Sequence, residues 1–129
     1  MNYDNFIDEW IQANINFNKT RSDTDLRLLV YERMRNFCIN DPHIALQIVI
    51  KILHKTNDET ILENLAAGPL ETLLRYHCAD TIDTIEDEAN KDNRFKWLLA
   101  GVWQNKISDD LWLRISNACN NAPEKLPLF

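Results

Sequence analysis

Three side chains near the middle of the chain, Glu63, Glu71 and His77, are of the types that do proton or metal chemistry. An imidazole between two carboxylates is the minimal set for acid–base work or for a metal ion. The competing reading is structural. Glu71 falls three positions after Gly68, where a carboxylate caps free N–H groups at a helix start, and His77 falls where the same helix is expected to end, near its negative pole. A second cluster lies at residues 80–92, with Asp80, Asp83, Glu86, Asp87, Glu88 and Asp92 against one base, Lys91. On a helix Asp83, Glu86 and Asp87, with Glu88 beside them, turn away from Ile82, Ile85 and Ala89, which gives a negative face suited to a basic protein surface. A solvated outer face accounts for the same pattern. Trp97 steps off the stripe of Phe95, Leu98, Leu99, Val102 and Trp103, so with Arg94 it forms a candidate anchor for a partner, or else the helix packs on two sides.

No pair among His43, His54 and His77 has the four-residue spacing of a helical zinc site, and no cysteine cluster joins them, so no metal and no cofactor is expected. There is no glycine-rich phosphate loop and no nucleophile elbow. Cys38, Cys78 and Cys119 are isolated and odd in number, which suits small buried hydrophobes in a reducing compartment. The net charge is −6, and each half of the chain carries more Asp and Glu than Lys and Arg. With no basic region, no nucleic-acid ligand is expected, and a basic protein is a natural one. The start of the chain lacks the pattern of a signal peptide, and the apolar run Ile44 to Leu53 is too short to span a bilayer. A cytoplasmic location without a membrane is the expectation.

The elements that must position these residues read as helices throughout, within one domain spanning residues 1–129. Phe6, Trp10, Ala13 and Phe17 make the inward stripe of a first helix, and Asn18 to Thr24 is a polar connection. Asp23 or Asp25 caps a second helix, with Leu26, Leu29, Val30, Met34 and Phe37 inward. Asp41-Pro42 opens a third, apolar nearly all round and therefore central. Asn57-Asp58-Glu59 opens a fourth, which runs into Gly68-Pro69. There the spacing predicts a sharp corner: Gly68 closes one helix in the left-handed conformation and Pro69 opens the next. Further helices start at Asp80, at Asp92 or Asn93, and at Ser108, and the tail after Asn120 is irregular. The sum is an all-α protein of about eight short helices, an irregular bundle or stacked helical hairpins.

The span from Glu63 to Gln104 resembles a family of small bacterial all-α domains of unknown function. The carriers are Glu63-Asn64-Leu65-Ala66-Ala67-Gly68-Pro69-Leu70-Glu71, then Leu73-Leu74, His77, Ile82, Ile85-Glu86, Ala89, Asp92, Phe95, Leu99 and Gly101-Val102-Trp103-Gln104. Members of that family often have Glu-Asp after the Gly-Pro-Leu motif and His-Gly near the end of the helix, where this chain has Glu71-Thr72 and His77-Cys78. The resemblance implies an all-α fold and a bacterial or phage origin, and it implies no reaction. Together with the charge and the lack of a catalytic motif, it points to an interaction protein. The most concrete form is an immunity protein or antitoxin that neutralises a toxin, such as a basic nuclease, through Asp83, Glu86, Asp87, Glu88 and Trp97. An enzyme or small-ligand domain with its site at Glu63, Glu71 and His77 is the alternative, and self-association is a third reading.

Overall fold

The computed structural model describes residues 2–20 and 25–129, with side chains for 2–17 and 27–129. Seven α-helices and one π-helical turn, and no strand, are found among the described residues. They are α1 Asp4–Thr20, α2 Asp25–Asn40, α3 Pro42–Leu53, α4 Glu59–Leu65, the π turn Ala66–Leu70, α5 Glu71–Lys91, α6 Asn93–Leu99 and α7 Asp109–Ala118. No helix among them is long and apolar enough to cross a membrane.

α3 holds the centre because its sequence leaves it little choice. Ala45, Leu46, Ile48, Val49, Ile52 and Leu53 are all buried, and such a helix is stable only with neighbours on most sides. α1, α2 and α5 pack around it, α1 through Phe6, Ile7, Trp10 and Ala13. α5 also takes α6 and α7 on its flank. Helix starts are fixed by local chemistry. Asp58 accepts from the Thr60 and Ile61 amides, Asp92 from the Arg94 amide, and Ser108 from the Leu111 amide. Asp41 differs: it precedes Pro42 as expected, but its side chain makes no cap bond.

Gly68-Pro69 is not the sharp corner that the spacing predicts. No glycine has a positive φ, and the chain runs through this point without a break. Pro69 lacks an N–H and its ring crowds the preceding turn, so an ordinary α-turn is disfavoured there. The chain widens instead, and the Glu71 amide reaches back five residues to the Ala66 carbonyl. The Pro69 carbonyl accepts from the Cys38 thiol at 3.3 Å. The two helices expected after the corner run on as α5, joined across a kink. α5 continues to Lys91 across a kink at His77, whose φ and ψ are −139° and 32°. His77 therefore stands at the junction of two helical segments, close to where the first was expected to end. With α4, the π turn and α5 continuous, the described chain forms six helical bodies where about eight separate helices were expected.

Some inward stripes also shift. In α2, Val30, Met34 and Cys38 are buried while Leu29 is 60% exposed; Asp23 as a cap and Leu26 in the stripe lie outside the described residues and side chains. The polar connection expected from Asn18 is shorter, since α1 runs to Thr20; residues 21–24 lie outside the description. Trp103 is 76% exposed, because α6 ends at Leu99 and the helical period that would have turned Trp103 inward stops there.

Candidate functional site

The acidic cluster of α5 is built into the fold. Arg114 is the one basic residue in α7, and its guanidinium bonds both Glu86 oxygens, from Nε at 3.0 Å and from Nη2, and also Asp83 from Nη2 at 2.8 Å. This fork clips α7 onto α5. The Arg114 hydrogen bond holds the Glu86 carboxyl below its ordinary pKa, and the Arg114 pKa is raised in return. Glu88 pairs with Lys91 at 3.0 Å. Asp92 caps α6 and lies 2.6 Å from the His54 imidazole. Asp87 is exposed and forms no ion pair among the described residues. Asp83 keeps 91% of its side chain exposed despite its partner. The sequence signal that was available and missed is the lone arginine of α7, facing an i, i+3 carboxylate pair that needs a cation.

Glu63, Glu71 and His77 have separate surroundings, and no hydrogen bond or ion pair joins them. Glu71 accepts from the Asn105 side-chain amide at 2.6 Å instead of capping α5. His77 engages acceptors on both ring nitrogens, the Ile39 carbonyl at the end of α2 and Asp80 at 2.9 Å. Bonding to Ile39, then to Asp80, raises the His77 pKa. The contact to Ile39 falls at the residue whose backbone is non-helical, and the Thr81 hydroxyl donates to the His77 carbonyl at 2.8 Å across the kink. Among the described residues no group of three His, Cys, Asp or Glu side chains is placed to hold a metal ion.

Glu63 instead shares a groove with Trp97. The groove encloses about 380 Å³ and is lined by Glu63 of α4, Ala66 and Ala67 of the π turn, Trp97 and Leu98 of α6, and Ala100, Gly101, Pro123 and Glu124. Phe95, Leu98 and Leu99 anchor α6 in the core, and a 100° step leaves Trp97 half-buried on the groove wall. Gly101 lets the end of α6 approach the π turn: a Cβ there would lie 3.3 Å from the Leu98 carbonyl oxygen and 3.4 Å from the Ala66 Cβ. The tail that brings Glu124 is held by Arg94. This residue is 5% exposed and donates to the carbonyls of Leu53, Thr56 and Pro127 and to Asn57, with its guanidinium 4.6 Å from the Phe129 ring. Arg94 is thus a structural clamp and no companion of Trp97 at a surface. Leu126, in the same tail, is buried. A ring and two carboxylates around an open groove are of the chemical types that suit a cation on an aliphatic stem.

Thus two residues singled out separately from sequence, Glu63 and Trp97, line one groove, and Glu124 joins them from the tail that Leu126, Pro127 and Phe129 fasten to the body. No curated protein and no solved structure matches the chain. A family model does match, over residues 19–122, which include the helices that form the groove and the π turn beside it, and the chain belongs to that family, a family of unknown function (DUF6869).

Proposed function

We propose that this protein is an interaction protein whose groove beside Trp97 receives a basic segment of a partner protein. The observation that carries the reading is the meeting of Trp97 with Glu63 and Glu124 in one open groove. A lysine or arginine side chain suits it, its stem against the ring and its charge near the carboxylates. Asp83 and Asp87, exposed on α5, add to the long-range attraction although Arg114 offsets the first. In its most concrete form the protein is a cytoplasmic immunity protein or antitoxin, and its partner a basic toxin such as a nuclease.

The test is co-expression and calorimetry with the product of an adjacent toxin-like gene. A complex at micromolar concentration or tighter, together with rescue of growth, is the expected result. Trp97→Ala should weaken the complex about tenfold or more, as for an aromatic anchor at the centre of an interface. Glu124→Lys should weaken it further at low salt than at high salt. No complex and no rescue would remove the toxin-neutralising form. A complex indifferent to both substitutions would remove the groove as its seat.

A further inference from the structure

A second cavity of about 340 Å³ opens between α1, α2 and the π turn, and shares Ala67 with the groove. Its lining includes Trp10, Tyr31, Met34, Arg35, Asn64 and Gly68. The volume is in the range of sites that take small organic molecules.

Its walls are held by a buried polar network. Asn14 is fully buried, and its side-chain oxygen accepts both the Tyr31 hydroxyl at 2.7 Å and the Asn64 amide at 3.2 Å. Its own amide donates to the Trp10 carbonyl at 2.9 Å. One buried residue thereby fixes three residues that face the cavity. The Tyr31 ring stacks on Trp10, with centroids 6.2 Å apart and planes 29° apart. The Arg27 guanidinium, also in the lining, lies over the rings of Phe17 and Tyr31 at 3.8 and 4.4 Å from their centroids. Arg35 is exposed at the rim, 3.4 Å from the Tyr76 hydroxyl, and Arg75 lies over the Tyr76 ring. No carboxylate is among the described lining residues, in a chain whose net charge is −6. Gly68 adds an independent observation. Its backbone is not left-handed, and a Cβ built on it would meet nothing within 4 Å. Neither conformation nor close packing requires glycine there, and its missing side chain leaves the cavity open.

We propose that this cavity is a binding site for a small aromatic carboxylate, its ring against the half-buried Tyr31 and the π turn at Gly68 and Pro69, above a floor closed by the buried Trp10 and Met34, and its carboxylate at the guanidinium of Arg35. Arginine matches a carboxylate with a planar fork of donors, and the ring walls match a flat apolar body. The site is separate from the Trp97 groove, and its occupancy does not depend on a protein partner.

The test uses the whole chain and two probes, 2-naphthoate and the neutral 2-naphthylmethanol, followed by amide chemical shifts. Saturable shifts at Asn64, Gly68 and Thr72 are expected with naphthoate at submillimolar concentration, with the alcohol about tenfold weaker or more. Arg35→Gln, an exposed substitution, should remove that preference while leaving the alcohol's affinity in place. Gly68→Leu should abolish binding of both probes with the helical circular dichroism retained. Absence of saturable shifts up to several millimolar, equal affinity for acid and alcohol, or shifts clustered elsewhere would each overturn the proposal. Should Gly68→Leu fail to fold, the Arg35→Gln comparison decides alone.

Discussion

Arg94 shows how one side chain joins distant parts of the chain. Its guanidinium satisfies carbonyls at the end of α3 and in the following turn, and it holds Pro127 of the tail. Arg94→Ala leaves several buried or half-buried acceptors without a donor, so a loss of about 2–4 kcal/mol is expected, read from the urea midpoint. A loss within about 0.5 kcal/mol, the range of a neutral surface change, would show that water replaces the clamp. His77 makes a pH prediction. Its folded pKa is raised above the ordinary value of about 6.5. The imidazolium donates to both Ile39 and Asp80, so its contribution is full below the unfolded pKa and is lost as pH rises through the raised folded value. Thermal stability should therefore fall on going from mildly acidic to mildly alkaline pH, and His77→Asn should flatten that slope. A proton-NMR titration placing the His77 midpoint at or below the free value would refute this.

Among the elements, the π turn and the α5–α7 junction have different physical bases. The turn exists because Pro69 cannot donate, and Gly68 beside it is helical with room for a side chain. Gly68→Ala should therefore stabilise the protein by about 0.5–1 kcal/mol, through lower backbone entropy in the unfolded chain, measured by chemical denaturation. Destabilisation instead would mean that the wide turn depends on glycine in a way its space and φ do not reveal. The α5–α7 junction depends on charge. The folded Glu86 pKa is depressed by Arg114, so the pair's stabilisation is present above the unfolded carboxylate pKa and fades as pH falls through the lower folded value. With Glu86 at the boundary of exposure, solvent screening keeps the global effect small. Arg114→Ala should raise hydrogen exchange in α7 and return the Glu86 titration toward its ordinary range, with a global loss of about 1 kcal/mol or less.

For the whole molecule, the proposed partner binding is an electrostatic expectation. An acidic protein meeting a basic partner associates faster at low ionic strength, so the association rate should fall several-fold between about 50 mM and 300 mM salt. Dissociation should respond more to Trp97→Ala, because the ring is a short-range contact. Stopped-flow or surface-plasmon kinetics separate the two. A rate indifferent to salt would argue that the net charge of −6 serves solubility alone.

The helices themselves were legible in the sequence because their causes are local. The three-to-four-residue spacing in α1, the apolar circumference of α3, and the caps Asp58, Asp92 and Ser108 act within a few residues, and each reads directly from residue type. What followed Pro69 was less legible. A proline after a glycine marks either a stop or a widened turn, and the choice rests on whether α2 and α3 pack along one continuous body. The acidic face looked like a free surface because Arg114 is 28 residues away from Glu86. The candidate site was half legible. Trp97 stood out by its angle and Glu63 by its type, but their shared groove needs α4, α6 and the tail side by side. Glu124 and the Asn14-braced cavity left no sequence signal at all, because the contacts that create them, such as Asn14 to Asn64 and Arg94 to Pro127, join residues far apart in the chain. The sequence by itself determined an acidic, all-helical chain and the starts of several of its helices. The tertiary structure alone decided which charges are spent on each other and which open onto a groove, because long-range packing sets those pairings and no local rule anticipates them.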